Sequence, residues 1–235
     1  MTDSNPPIQS VGLSRKDLIA RAGAVAAGAG ALGMLSTATA RAATCSDTVQ
    51  NIIDTAAVAE GLAVTTYFHG IRSPSVFNEL SDQKPYLRGA LSEEHHHLHT
   101  LIGAGAAVPP EKYHYPKGMF ASAEEFATVV VALERAFISA YGAAVTRFAE
   151  LNQPALANLA ARILGVEAEH RVLARDILGK PLPNDLCLEP ALFKCVSEAG
   201  AALGPFLHGG SGHSVIKNRP TAAQVTRAVG KFACR

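Results

Sequence analysis

Four glutamates stand at positions where a folded chain has no room for unpartnered charge. Glu60 lies four residues after Ala56 and seven before Tyr67, and Glu134 lies four after Val130 and seven before Tyr141. Glu94 follows Leu91 by three and precedes Leu101 by seven, while Glu167 follows Ile163 by four and precedes Ala174 by seven. Each spacing puts a carboxylate on the apolar face of a helix, pointing inward from its middle. An ionised carboxylate buried without a partner is strongly disfavoured, so the fold has to supply partners. Two of the glutamates bring one: His97 and His170 follow Glu94 and Glu167 by three residues, one turn further along the same face.

The helices that carry these acids are readable from apolar periodicity. The first spans about 47–71, with Ile53, Ala56, Ala63, Val64, Tyr67 and Ile71 on one stripe and a stop near Pro74. The second spans about 76–103, with Leu87, Leu91, Leu98 and Leu101 aligned. Residues 108–118 hold three prolines and form a long connection. Ser122, with Glu125 three residues on, has the pattern of a capping box for a third helix, whose stripe is Phe126, Val130, Phe137, Tyr141, Val145 and Phe148. Asn152, Gln153 and Pro154 make a tight turn into a fourth helix that carries Leu156, Ile163, Ala174 and Leu178 inward and stops at Gly179. Alanine-rich composition, with few aromatics and no Trp, agrees with an all-α fold. Two short-looped hairpins joined by one long crossover is the connectivity of a ferritin-like four-helix bundle. After 180 the sequence turns to Pro, Gly and Cys, which reads as an irregular C-terminal tail over 181–235 packed on a bundle of 44–180.

One Glu, then Glu-x-x-His, then one Glu, then Glu-x-x-His is the ligand order of a di-iron or di-manganese carboxylate bundle. Four carboxylates converging in a low-dielectric core repel one another, and two divalent ions cancel them. Oxygen ligands with one imidazole per ion suit Fe or Mn and leave coordination positions for a small oxidant. The metal ligands are therefore expected to be Glu60, Glu94, His97, Glu134, Glu167 and His170. A metal-free network of buried ion pairs is the competing reading. Glu93 with His96 offers a second register in the run SEEHHHLH at 92–99, but it would turn Gly89, His97 and Thr100 toward the core. In the preferred register Glu93, His95, His96 and His99 face solvent or stand behind the ligands, and an auxiliary metal patch there is the less favoured reading. Tyr67 and Tyr141 occupy equivalent places in the two hairpins. Core packing is the simplest role for both, and a hydrogen bond to a ligand carboxylate or a redox role the alternative. His69, His114, His208 and His213 show no ligand spacing.

The segments NIIDTAAVAEGLAVTTYFHG, YLRGALSEEHHHLHTLIGAGA, ERAFISAYGAAVTRFAEL and ILGVEAEHRVLARDILG together resemble bacterial ferritin-like domain proteins that are exported with a signal peptide and are related to plant desiccation-related proteins. The resemblance spans most of 47–184. It implies the bundle and the same six ligands, and it says little about activity.

Residues 1–43 read as an export signal: Arg15 and Lys16 precede a weakly hydrophobic Ala/Gly stretch, and Ala38, Ala40 and Ala42 follow in the spacing of a signal-peptidase site. Arg-Lys replaces the twin arginine of a Tat signal, which leaves Tat and Sec both open. The apolar run is shorter than a membrane-spanning helix needs, so no transmembrane anchor is expected in the mature form. The formal charge of +1 becomes about −1 on removal of this segment, and no charge run points to nucleic acid. Cys45, Cys187, Cys195 and Cys234 remain. Three pairings can be drawn, of which Cys187 with Cys195 and Cys45 with Cys234 is the guess favoured here.

These features lead to an exported protein, periplasmic or secreted, with two Fe or Mn ions acting on peroxide or dioxygen in the manner of a catalase or peroxidase. The alternative is a non-enzymatic stress- or desiccation-protective or envelope-interaction protein with a structural or degenerate metal site. An iron-storage cage is a weaker third option, and the sequence leaves homo-oligomerisation open.

Overall fold

The computed structural model describes residues 45–234. The export segment expected at 1–43 lies outside the described residues. Helix α1 (Val49–Arg72) starts at Thr48, whose hydroxyl accepts from the Asn51 amide at 3.2 Å. The second predicted helix is broken in two: a single turn, α2 (Pro74–Phe77), is followed by α3 (Gln83–Gly103). Pro85 explains the break, because its ring has no N–H and would clash with the carbonyl four residues earlier, so α3 has to begin no more than a turn before it.

Helices α4 (Ala123–Glu150) and α5 (Pro154–Ile177) form the other hairpin. Ser122 accepts from the Glu125 amide at 3.1 Å, half of the capping box expected there. The other contact at this helix start comes from Glu79, whose carboxylate accepts from the Ala123 amide at 2.7 Å. The α4–α5 turn runs through Asn152, the one non-glycine with positive φ (54°) among the described residues, into Pro154 in the first turn. Gly179 follows α5 with φ of 62°, as a helix stop requires. Most of the predicted stripes are inside: Ile53, Val64, Tyr67, Leu87, Leu91, Leu98, Leu101, Phe126, Val130, Phe137, Tyr141, Phe148, Ile163 and Ala174 are buried, while Ala56, Val145, Leu156 and Leu178 are partly buried against the core. Helix α4 has the length and hydropathy of a membrane span, yet 56% of that stretch is buried inside the bundle, as in a core helix. Between the hairpins α1 packs on α4 and α3 on α5, which brings the middles of all four helices together.

The crossover and the tail are more ordered than their composition suggests. Strand β1 (Lys112–Pro116) in the crossover pairs antiparallel with β2 (His213–Asn218) in the tail. Tyr113 and Tyr115 alternate inward from β1, and their hydroxyls donate to the α1 carbonyls of Val58 at 3.1 Å and Leu62 at 3.3 Å. Gly61 makes this approach feasible, since a Cβ there would collide with the Tyr113 hydroxyl and stand 2.9 Å from Pro109. The tail adds α6 (Val196–Ala202), α7 (Gly204–His208) and α8 (Ala222–Val229). A capping box between Thr221 and Gln224 starts α8, which buries Val225 and Val229.

The cysteine pairing differs from the guess. Cys45 is bonded to Cys195 across 150 residues, while Cys187 and Cys234 are free and exposed. Neighbouring contacts make the reason plain. Asp47 accepts from the amides of Val196 at 2.8 Å and Ser197 at 3.3 Å, so the start of α6 is seated beside Cys45. The tail between is held on α5 by Arg171 and Arg175, which pair with Asp185 at 2.6 and 2.9 Å, and by Arg171 with Glu189 at 3.1 Å.

Candidate metal centre

All six expected ligands meet in the middle of the bundle. Glu94 and Glu167 are fully buried, Glu134, Glu60 and His170 nearly so, and His97 is 7% exposed. Their ligand atoms form two overlapping groups, Glu60, Glu94, His97 and Glu167 on one side and Glu94, Glu134, Glu167 and His170 on the other. Within each group the atoms lie within 4.8 Å of one another, close to the span of about 4 Å between opposite ligands on one ion with bonds of about 2.0–2.2 Å. Glu94 and Glu167 belong to both groups, which is the placement of carboxylates able to bridge two ions. The two registers differ in position: Glu94 and His97 are inside, while Glu93 stands at the rim and His96 is exposed.

Protein partners alone leave this cluster incomplete. Glu60 Oε2, both oxygens of Glu94, His97 Nδ1, Glu134 Oε2 and Glu167 Oε1 are buried and make no hydrogen bond to a described residue. They account for six of the nine such side-chain atoms among the described residues. Several are near the imidazoles without being satisfied by them. His97 Nδ1 stands 3.3 Å from Glu167, 3.5 Å from Glu60 and 3.6 Å from Glu94. His170 Nδ1 lies 2.8 Å from Glu94 Oε1 but off the line of a hydrogen bond, and bonds instead to Glu167 Oε2 at 3.2 Å. Buried polar atoms without partners are rare in folded proteins. A cluster converging on two points fits two cations.

Electrostatics agree. Burial, then the charges of Glu167 and Glu94, push the carboxyls of Glu60 and Glu134 well above the usual range. Burial would raise Glu94 too, but the His170 charge beside it and the close approach of the His97 imidazole bring it below that range. Burial disfavours imidazolium at His97 and His170, and the surrounding carboxylates overcome it and raise both. Glu60, Glu134, His97 and His170 thus hold protons more tightly than free side chains do, and bound divalent ions would displace those protons.

Three contacts support these residues: two are the hydrogen bonds that stood as the alternative reading for the tyrosines, and one had not been assigned from sequence. Tyr67 donates to Glu134 Oε1 at 2.8 Å and Tyr141 donates to Glu60 Oε1, so both phenols do more than fill space. Burial and the adjacent carboxylates raise both phenol pKa values, which keeps them as donors. Glu93, on α3, reaches across to His170 Nε2 on α5 at 2.9 Å, which orients the ring with Nδ1 toward the centre. His97 has no such partner among the described residues. The equivalent placement of Tyr67 and Tyr141 signalled the first two contacts; the Glu93 contact crosses between helices and had no local signature.

Comparison with known proteins bears on the same stretch. A family model described as the ferritin-like domain matches residues 77–180, which include Glu94, His97, Glu134, Glu167 and His170 but not Glu60. Neither curated proteins nor solved structures yield a match. Residues 77–180 thus match the ferritin-like domain, and the helical bundle that contains them agrees with it.

Proposed function

We propose that the core binds two Fe or Mn ions and uses them for redox chemistry on peroxide or dioxygen. The observation that carries this reading is the pair of overlapping ligand groups that share Glu94 and Glu167 in a buried core rich in unpartnered carboxylate oxygens. Glu60 and His97 would hold one ion, Glu134 and His170 the other. Bound ions of this kind supply one-electron changes and open coordination positions for a small oxidant. The chain contributes the rest. Tyr67 and Tyr141 orient the terminal carboxylates, Glu93 orients His170, and the apolar stripes around them keep bulk water out. The export signal expected at 1–43 and the Cys45–Cys195 bond both favour action in an oxidising compartment outside the cytosol.

Elemental mass spectrometry on the protein from its native host tests the binding step. Two equivalents of Fe or Mn are expected, lost in a Glu60→Ala, Glu134→Ala double variant. Folded wild-type protein without metal would overturn the reading and favour a protective or interaction role. If metal is present, peroxide dismutation no faster than that of the free ion would overturn the peroxide part.

A further inference from the structure

Helix α3 carries ligands on its outer side as well. His95 and His99 are one turn apart, and their Nε2 atoms face each other at 3.1 Å. The rings stand 4.4 Å apart, centre to centre, at 61°. His99 is exposed and His95 half-buried, so the point where the two nitrogens meet is open to solvent. We propose that His95 and His99 form a surface metal site, separate from the core, for a divalent ion that prefers imidazole, such as Cu(II), Ni(II) or Zn(II).

The geometry is the first argument. Two nitrogens bound to one ion at about 2.0–2.1 Å, with an angle of about 90–110° between them, are about 2.9–3.4 Å apart. The observed 3.1 Å falls inside that interval without movement of the helix. In the structure the two nitrogens make one N–H···N contact, and a cation would replace the proton between them. Spacing is the second argument: residues four apart on a helix stand above one another, and the rigid backbone holds both rings in place before an ion arrives. Ligand chemistry is the third. The core offers mostly carboxylate oxygen and suits Fe or Mn, whereas two neutral imidazoles select ions later in the first-row series. Arg219 acts on His95 electrostatically and works against a cation, so binding should be weaker than in the core. The inference does not depend on what the core does.

Cu(II) is a suitable probe, because the number of nitrogens bound to it can be read from electron paramagnetic resonance. The test uses metal-loaded protein carrying Cys187→Ser and Cys234→Ser, which removes the exposed thiols. One equivalent of Cu(II) with a two-nitrogen signature is expected, with the core metal retained. His99→Gln or His95→Gln should weaken that binding about a hundredfold, the loss expected when one arm of a two-point attachment is removed. Unchanged Cu(II) affinity in those variants would overturn the proposal. So would a one-nitrogen signal with release of core metal, which would mean that copper had entered the core.

Discussion

Tyr67 on α1 donates its hydroxyl to Oε1 of Glu134 on α4 at 2.8 Å, and Tyr141 on α4 returns the same bond to Oε1 of Glu60 on α1. In both carboxylates the other oxygen, Oε2, accepts no hydrogen bond from a described residue. The phenols thus choose which oxygen faces the centre. Tyr67→Phe or Tyr141→Phe should leave the bundle folded and weaken metal binding about 10–100-fold, the usual effect of losing a group that orients a ligand. Competition against a chelator of known affinity measures it, and unchanged affinity would reduce both tyrosines to packing.

Glu93 makes the two halves unequal. It accepts from His170 Nε2, and His97 has no counterpart among the described residues. Glu93→Ala should weaken the ion held by Glu134 and His170 about 10–100-fold and leave the other nearly unchanged. A calorimetric titration would then change its shape, not only its midpoint. Glu93→Gln, which keeps an acceptor but loses the charge, should fall between.

The protonation pattern fixes the sign of a pH effect. Glu60 and Glu134 are raised above 4.5, and His97 and His170 above 6.5, so the stability each contributes is present at low pH and lost as pH rises through the raised value. Glu94 is lowered, and its contribution disappears only in strong acid. Metal-free protein should therefore melt at lower temperature as pH goes from about 5 to about 9, while metal-loaded protein should not. Calorimetry in buffers of different ionisation enthalpy should also register protons released on metal binding. A metal-free melting temperature that rises over that range would contradict the assignment.

What the sequence made legible was the part governed by period. Glu60, Glu94, Glu134 and Glu167 could be placed because a single charge in an apolar stripe stands out, and the two histidines because three residues make almost one turn. Pro85 has no period either, and its missing N–H limits where α3 can begin. Contacts between distant segments carry no period. The Cys45–Cys195 bond depends on Asp47 seating the start of α6, and β1 finds β2 across about a hundred residues of chain, so neither could be read locally.

That disulfide closes a long loop, and Cys45→Ser, Cys195→Ser protein should lose about 2–5 kcal/mol of stability relative to oxidised wild type. Denaturant titration of metal-free samples measures it. Reduction of the wild type should reproduce the loss, and an unchanged midpoint would show that the Asp47 contacts alone hold the tail.

The tyrosine hydroxyls of β1 reach the α1 carbonyls at Val58 and Leu62, two residues on either side of Glu60. A loop that touches no ligand therefore works as a splint, bracing the helix at the turn where its one carboxylate leaves for the centre. Substitutions in that loop, at Tyr113 or Pro109, would be felt inside the bundle as a displaced oxygen as well as in stability. Any survey of variants that scores only residues facing the metals would miss them.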